Sequence, residues 1–170
     1  MTKHGESVPT RWFRAQAIGS VTRPGTATIA SGAYYDPDLE TALQILPRWA
    51  EAIDGIEEYS HLIVVYWLDR ANRARRARRI RPEGRPEMPE VGALATRTPQ
   101  RPNPIGLATP RLLRREGLTL WVTGIDAWPD TPILDLKGYT PRDDMRPDAT
   151  VPGWLQHLWA LHDDERKSES

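Results

Sequence analysis

The chain contains no cysteine. Disulfides, thiolate metal sites and a thiol nucleophile are excluded. The absence fits a reducing compartment, and the protein is expected to be cytoplasmic. No apolar run approaches the roughly 20 residues that cross a bilayer, and Met1 to Ser7 lacks the apolar centre of a signal peptide. Net charge is missing too, because 23 Lys and Arg balance 23 Asp and Glu. A polyanionic partner would have to be met by a local patch. No two glycines are separated by a single residue, which removes the G-x-G-x-x-G dinucleotide fingerprint. The phosphate loop G-x-x-x-x-G-K-[ST], the zinc motif H-E-x-x-H and the nucleophile elbow G-x-S-x-G are also absent. The four histidines do not fall at ligand spacing, so no metal is expected. Aromatic usage is uneven, with 1 Phe against 7 Trp; the tryptophans are most simply packing residues of core and rim.

What is present centres on Arg97-Thr98-Pro99-Gln100-Arg101-Pro102-Asn103-Pro104-Ile105-Gly106. Three prolines fix φ near −65° and remove three backbone donors, and Asn103 before Pro104 is driven into extended geometry. The stretch cannot be mid-helix or a central strand. It is a stiff loop presenting Arg97, Arg101 and Asn103, a set that suits a carboxylate, a phosphate or a planar heterocycle. Gly106 lets the chain turn or lets something approach its backbone. The plainer reading is a proline-rich surface connection.

A length of 170 residues favours one domain with a real core. Residues 1–10 are read as a mobile tail, 11–163 as the domain and 164–170 as a polar tail. Phe13 to Val21 and Thr26 to Ile29 read as strands. Asp36-Pro37 is a helix-start signal for a helix ending before Pro47, and a short helix follows over Arg48 to Ile53. His61 to Leu68 is the strongest strand, expected to be buried on both faces. Gly92 to Thr96 is another short strand. Leu107 to Ile125 reads as a hairpin turning at Arg115-Glu116-Gly117, with Pro110 at an edge or bulge. Ile133 to Leu136 is a brief strand. Leu155, Leu158, Trp159 and His162 share one face of a C-terminal helix, Val151 to His162, and the chain beyond Asp163 reads as frayed. The fold class is mainly β: a small β-barrel or rolled antiparallel sheet with a few short helices.

Three polar segments follow strands and could converge on a ligand: Asp69-Arg70, Arg97 to Gly106, and Asp126 to Pro132. Asp69 and Arg70 also read as a surface ion pair, and Asp126 and Asp130 as turn formers. His61 reads as a structural histidine. The run from Ala71 to Pro89 carries Arg73, Arg75, Arg76, Arg78 and Arg79 among seven arginines. It is either a solvated, mobile loop or an RNA-binding one, since single-sign charge contacts several phosphates at once.

The signature stretch resembles that of the TsaA-like (YaeB-like) family. So do Ile18-Gly19, Gly55 to Leu62 and Asp130-Thr-Pro-Ile-Leu-Asp-Leu-Lys137 with Tyr139, all in the family's order. The resemblance implies a small β-barrel that dimerises, S-adenosylmethionine as cofactor and methyl transfer to a threonylcarbamoyl-modified adenosine beside the tRNA anticodon. It also implies a cofactor pocket lined by Asp69, Arg70, Arg97, Leu107, Asp130, Thr131 and Pro132. For the proton released from the amine, Asp126 or Asp130 is the candidate acceptor. Two departures stand out. Thr22 to Thr26 is short and lacks the family's Pro-Arg-Gln element, and Asp69-Arg70 replaces the usual His-Gln or His-Arg pair. Two alternatives remain open: a module that binds or senses S-adenosylmethionine, and a methyltransferase for a small molecule, neither acting on tRNA.

Overall fold

The computed structural model describes residue 11 and residues 13–22, 38–71 and 77–169. Among the described residues nine strands form in chain order: β1 Gly19–Thr22, β2 Thr41–Ile45, β3 Leu62–Trp67, β4 Arg79–Ile80, β5 Val91–Gly92, β6 Ile105–Ala108, β7 Arg111–Glu116, β8 Thr119–Thr123 and β9 Pro132–Gly138. Seven make one antiparallel sheet, ordered β6-β3-β9-β1-β2-β8-β7, while β4 and β5 pair separately. The sheet rolls until β7 returns to the head of β3. There His61 bridges Arg111, the Leu62 amide donates to the Pro110 carbonyl (3.0 Å) and the Leu112 amide to the Ser60 carbonyl (2.9 Å). This is the rolled form of the expected mainly β fold. Two helices follow, α1 Pro141–Asp144 and α2 Gly153–Glu169.

The core lies inside the roll. Val21, Leu43, Leu62, Val64, Leu120, Val122 and Ile133 are fully excluded from solvent, each removal of such a side chain from water contributing about 1.5–3 kcal/mol. Along β3, Leu62, Val64 and Tyr66 are buried and Ile63, Val65 and Trp67 half-buried. The strand is therefore dry on one face only, not on both. His61 is exposed and hydrogen-bonded through Nδ1 to Ser60 Oγ (3.0 Å), so it is a surface residue.

Several elements differ from their sequence reading. The helix expected before Pro47 is strand β2 over Thr41–Ile45; β1 and β8 pair with it on both sides. Ala, Leu and Gln favour helix intrinsically, but burial of Thr41, Ala42, Leu43 and Ile45 outweighs a preference worth only tenths of a kcal/mol per residue. Phe13 to Ile18 is irregular, and only Gly19–Thr22 is strand. The strand expected at Thr26 to Ile29 and the helix start at Asp36-Pro37 lie outside the described residues. Val91–Gly92 is a two-residue strand that passes into a 3-10 turn at Ala93. Pro110 is buried and divides the expected first arm of the hairpin. β6 joins β3, β7 joins β8, and the turn falls at Gly117 with φ 62°.

Helix α2 runs past Asp163 to Glu169. Leu158 is buried and Trp159 is half exposed, so Trp159 is not on the packed face. The helix is tied to the excursion between β3 and β6. Arg85 reaches Glu165 (2.8 Å) and Glu83 (2.9 Å), and Glu83 accepts from His162 Nε2 (3.0 Å). Burial pushes the Glu83 carboxyl up, but the hydrogen bonds from His162 and Arg85 outweigh it and hold it below its ordinary value of 4.5. A depressed carboxylate stabilises the fold above its unfolded pKa and loses that contribution as pH falls through the folded value. Glu83→Gln should therefore lower the thermal midpoint at neutral pH. The gap to wild type should close below pH 4.5. A gap independent of pH would show that the carboxylate's charge is not what joins α2 to the excursion.

Candidate functional site

Where β3 ends, the strand-exit loops frame one open cleft of about 1250 Å³. Tyr66 and Leu68 form its floor, the β6 residues Gly106, Leu107 and Ala108 one wall, and Asp126, Trp128 and Thr131 another. Asp69, Arg70, Arg97, Arg101 and Asn103 supply the polar rim. Single small-molecule pockets usually enclose about 300–1,000 Å³, so this cleft is large enough for a cofactor-sized ligand.

The proline-arginine stretch is held by threonine hydroxyls. Thr96 Oγ1 donates to the Ala93 carbonyl (2.9 Å) and accepts from the Thr98 amide (3.3 Å), and Thr98 Oγ1 accepts from the Gln100 amide (3.2 Å). Arg101 folds back on the loop, its guanidinium donating to the Thr96 carbonyl (3.2 Å). It braces the frame. Arg97 is different: exposed, on the cleft rim and without a hydrogen bond or ion pair among the described residues. Leu68 donates its amide to the Pro104 carbonyl (2.8 Å), which ties the loop to the end of β3.

Gly106 admits an aromatic ring. A Cβ there would lie 2.2 Å from Tyr66 Cε2. The Tyr66 ring, 5% exposed, occupies that space and donates its hydroxyl to the Asp126 carbonyl (3.1 Å). On the next loop Ala127 and Thr131 are buried, while Asp126 and Trp128 face out. Asp130 takes φ 68°, a left-handed conformation that Asp tolerates better than most residues, and donates its amide to the Val21 carbonyl (2.8 Å).

The fold thus brings Asp69, Arg70, Arg97, Arg101, Asn103, Leu107, Asp126 and Thr131 to one cleft. Asp130 is exposed but not on the cleft wall, and Pro132 is taken into β9 opposite Ser20. Asp69 and Arg70 do not pair with each other. The Arg70 guanidinium lies 5.3 Å over the Trp128 ring and donates to the Pro129 carbonyl (3.1 Å). In the basic run, Arg73, Arg75 and Arg76 lie outside the described residues, and Arg78 is exposed. Arg79 is engaged by Glu90 (3.4 Å), Arg81 by the Pro86 and Met88 carbonyls and Arg85 by three glutamates. Sequence reasoning missed Tyr66 and Trp128 as site residues. A tryptophan inside the polar Asp126 to Pro132 loop was the available signal.

The fold and the site together define a rolled, mainly β protein with an arginine-rimmed cleft at its strand exits. The chain belongs to the tRNA-methyltransferase O N-terminal domain family, whose sequence profile matches residues 27–145, in agreement with the TsaA-like resemblance. An Archaeoglobus fulgidus protein named "Probable S-adenosyl-L-methionine-binding protein" is 43% identical over 114 residues, 67% of this chain and 30% of that protein. A second from the same organism, named "S-adenosyl-L-methionine-binding protein", is 38% identical over 63% of this chain and 74% of its own length. Crystal structures of TrmO superpose with TM-scores of 0.64 and 0.61, the latter from Pseudomonas aeruginosa. Their identities are 28% and 26%, covering 84% and 82% of this chain. The chain spans 64% and 62% of those structures, less than two thirds of their length.

The Tyr66–Gly106 fit gives a direct test. Gly106→Ala should destabilise by about 1–3 kcal/mol in urea denaturation, because the ring must leave a packed site. Tyr66→Phe should cost about 1 kcal/mol. Both should shift the amide resonances of residues 124–131, and an unperturbed loop in both variants would show that Tyr66 does not hold it.

Proposed function

We propose that this chain binds S-adenosylmethionine in the cleft and transfers its methyl group to the exocyclic amine of a modified adenosine beside the tRNA anticodon. The observation that carries the reading is the partnering at the rim. The Arg97 guanidinium and the Asp69 and Asp126 carboxylates face the cleft with no protein partner among the described residues. That set fits a ligand with one carboxylate and a cationic centre, and leaves one carboxylate of the protein to take a proton. Arg97 would take the carboxylate in a charge-assisted pair, Asp69 would take a cationic centre, and Leu107 and Thr131 would border the heterocycle.

When bound, S-adenosylmethionine supplies a methyl on a positively charged sulfur; transfer forms one N–C bond and breaks one S–C bond, leaving S-adenosylhomocysteine. The chain contributes position and charge. Holding both reactants in one cleft removes most of the entropic part of the barrier. The Asp126 carboxylate would accept the proton that the amine loses as it becomes N-methylated, and Asp130 would support the turn. Arg73, Arg75, Arg76, Arg78 and Arg79 would contact tRNA phosphates. We further propose a homodimer, because the edge strand β6 exposes Ile105 and Leu107 beside the cleft and an unpaired apolar edge favours a second chain. No helix among the described residues is long and apolar enough to cross a membrane, and tRNA modification places the work in the cytoplasm.

One observation favours a second reading. Arg79, Arg81 and Arg85 already have acceptors within the protein, which leaves fewer charges for RNA. A module that binds S-adenosylmethionine without tRNA, or a small-molecule methyltransferase, would keep the cleft and not need the loop.

Calorimetric titration of S-adenosylmethionine should give micromolar binding to the wild type and binding about ten-fold to a hundred-fold weaker to Arg97→Ala, as expected for loss of a charged hydrogen bond. No heat from the wild type would remove the reading. Replacing Arg75, Arg76, Arg78 and Arg79 with Ala should weaken tRNA binding. It should also flatten the salt dependence by about 0.7–0.9 in log–log slope for each phosphate that is no longer neutralised. An unchanged affinity at moderate salt would favour the second reading.

A further inference from the structure

Trp128 stands out among the cleft residues as a large aromatic side chain left exposed there. It lines the cleft, is 42% exposed and makes no hydrogen bond through Nε1 among the described residues. Trp121, by contrast, donates its Nε1 to Glu116 (2.9 Å). A large aromatic surface left open beside polar groups is how proteins prepare a stacking site.

The backbone under Trp128 is anchored on both sides. Tyr66 holds the Asp126 carbonyl (3.1 Å), the Thr131 amide donates to the Trp128 carbonyl (3.2 Å), and buried Ala127 fills the core between them. Burial alternates through Asp126, Ala127 and Trp128, so the carboxylate and the indole emerge on the same side of the loop. Arg70 lies over the ring at 5.3 Å and is kept there by the Pro129 carbonyl (3.1 Å). A guanidinium held over an indole places positive charge beside the aromatic surface, a combination suited to an electron-rich heterocycle.

We infer that Trp128, together with Arg70, is the stacking platform for the methyl-accepting ring, a planar nitrogen heterocycle. The inference rests on the proposed transfer and adds the residue that holds the acceptor. Asp126 stands two residues away on the same loop, and both residues line the cleft. The proposed proton acceptor and the platform therefore share one wall. Trp128 is thus an acceptor-binding residue, while the cofactor's carboxylate would be bound by Arg97.

The test uses the full chain with Trp128→Ala, Trp128→Leu and Trp128→Phe, each checked for a wild-type thermal midpoint. S-adenosylmethionine affinity is measured by calorimetry. Adenosine is then titrated into protein saturated with S-adenosylhomocysteine, and KM and kcat are measured for methyl transfer to bulk tRNA. The expected result is cofactor affinity within about two-fold of wild type in all three variants. Adenosine binding should fall about ten-fold in Trp128→Ala and Trp128→Leu, as for removal of one stacked base from its aromatic platform, and be restored in Trp128→Phe. The tRNA KM should rise in the same order with a smaller change in kcat. Equal adenosine binding in wild type and Trp128→Ala would overturn the platform. So would S-adenosylmethionine affinity that falls in step with adenosine affinity, because the ring would then serve the cofactor. A wild type that binds S-adenosylmethionine but not adenosine would overturn the platform alone. A wild type that binds neither would overturn the proposed transfer as well.

Discussion

The ring of Tyr66 fills the space that a side chain on Gly106 would need, and its hydroxyl holds the carbonyl of Asp126. This single side chain joins the three parts of the molecule that matter. Its backbone belongs to β3, which pairs with both β6 and β9. Its ring packs on the end of the proline-arginine stretch, and its hydroxyl sets the loop that carries Asp126 and Trp128. Because the ring is buried, displacement would cost apolar packing as well as a hydrogen bond. The two walls of the cleft are therefore coupled through a core residue.

The rim around this anchor divides into side chains that stabilise the loops and side chains left over for a ligand. Arg101, Thr96 and Thr98 satisfy backbone groups of a loop whose prolines cannot donate. Arg97, Asp69 and Asp126 do not. Charged side chains that line one cleft without protein partners forgo the small stabilisation of surface pairing and stay available to a ligand. The same division runs through the basic excursion. Arg79, Arg81 and Arg85 fasten it to itself and to α2, whereas Arg78 remains exposed. A count of arginines in the sequence overstates the charge available to a partner for this reason.

Much of the site was legible because its chemistry is local. Prolines, the residue preceding each and a terminal glycine restrict the backbone whatever surrounds them, so the loop from Arg97 to Gly106 and its exposed guanidinium could be read directly. The convergence of Asp69-Arg70 with the Asp126 loop followed from placing polar segments after strands. Trp128 was not legible as a site residue, since an indole reads as packing until its neighbours are known. The partner of Arg70 was equally hidden, because the Pro129 carbonyl lies 59 residues away.

Local sequence was enough for the mainly β character, for a strand between His61 and Leu68, for the family and for the proline-bearing signature loop. These rest on short-range sterics, on side-chain alternation and on ordered blocks of residues. Contacts distant in sequence make Thr41–Ile45 a strand, let Pro110 divide one extended run between two neighbours, carry α2 to Glu169 and turn Trp128 to the cleft with Arg70 over its ring. Each of these depends on what lies opposite in space. Burial between β1 and β8, a carboxylate reached by Arg85 and a carbonyl reached by Arg70 all come from distant chain. The energies involved exceed the local preferences that a sequence displays.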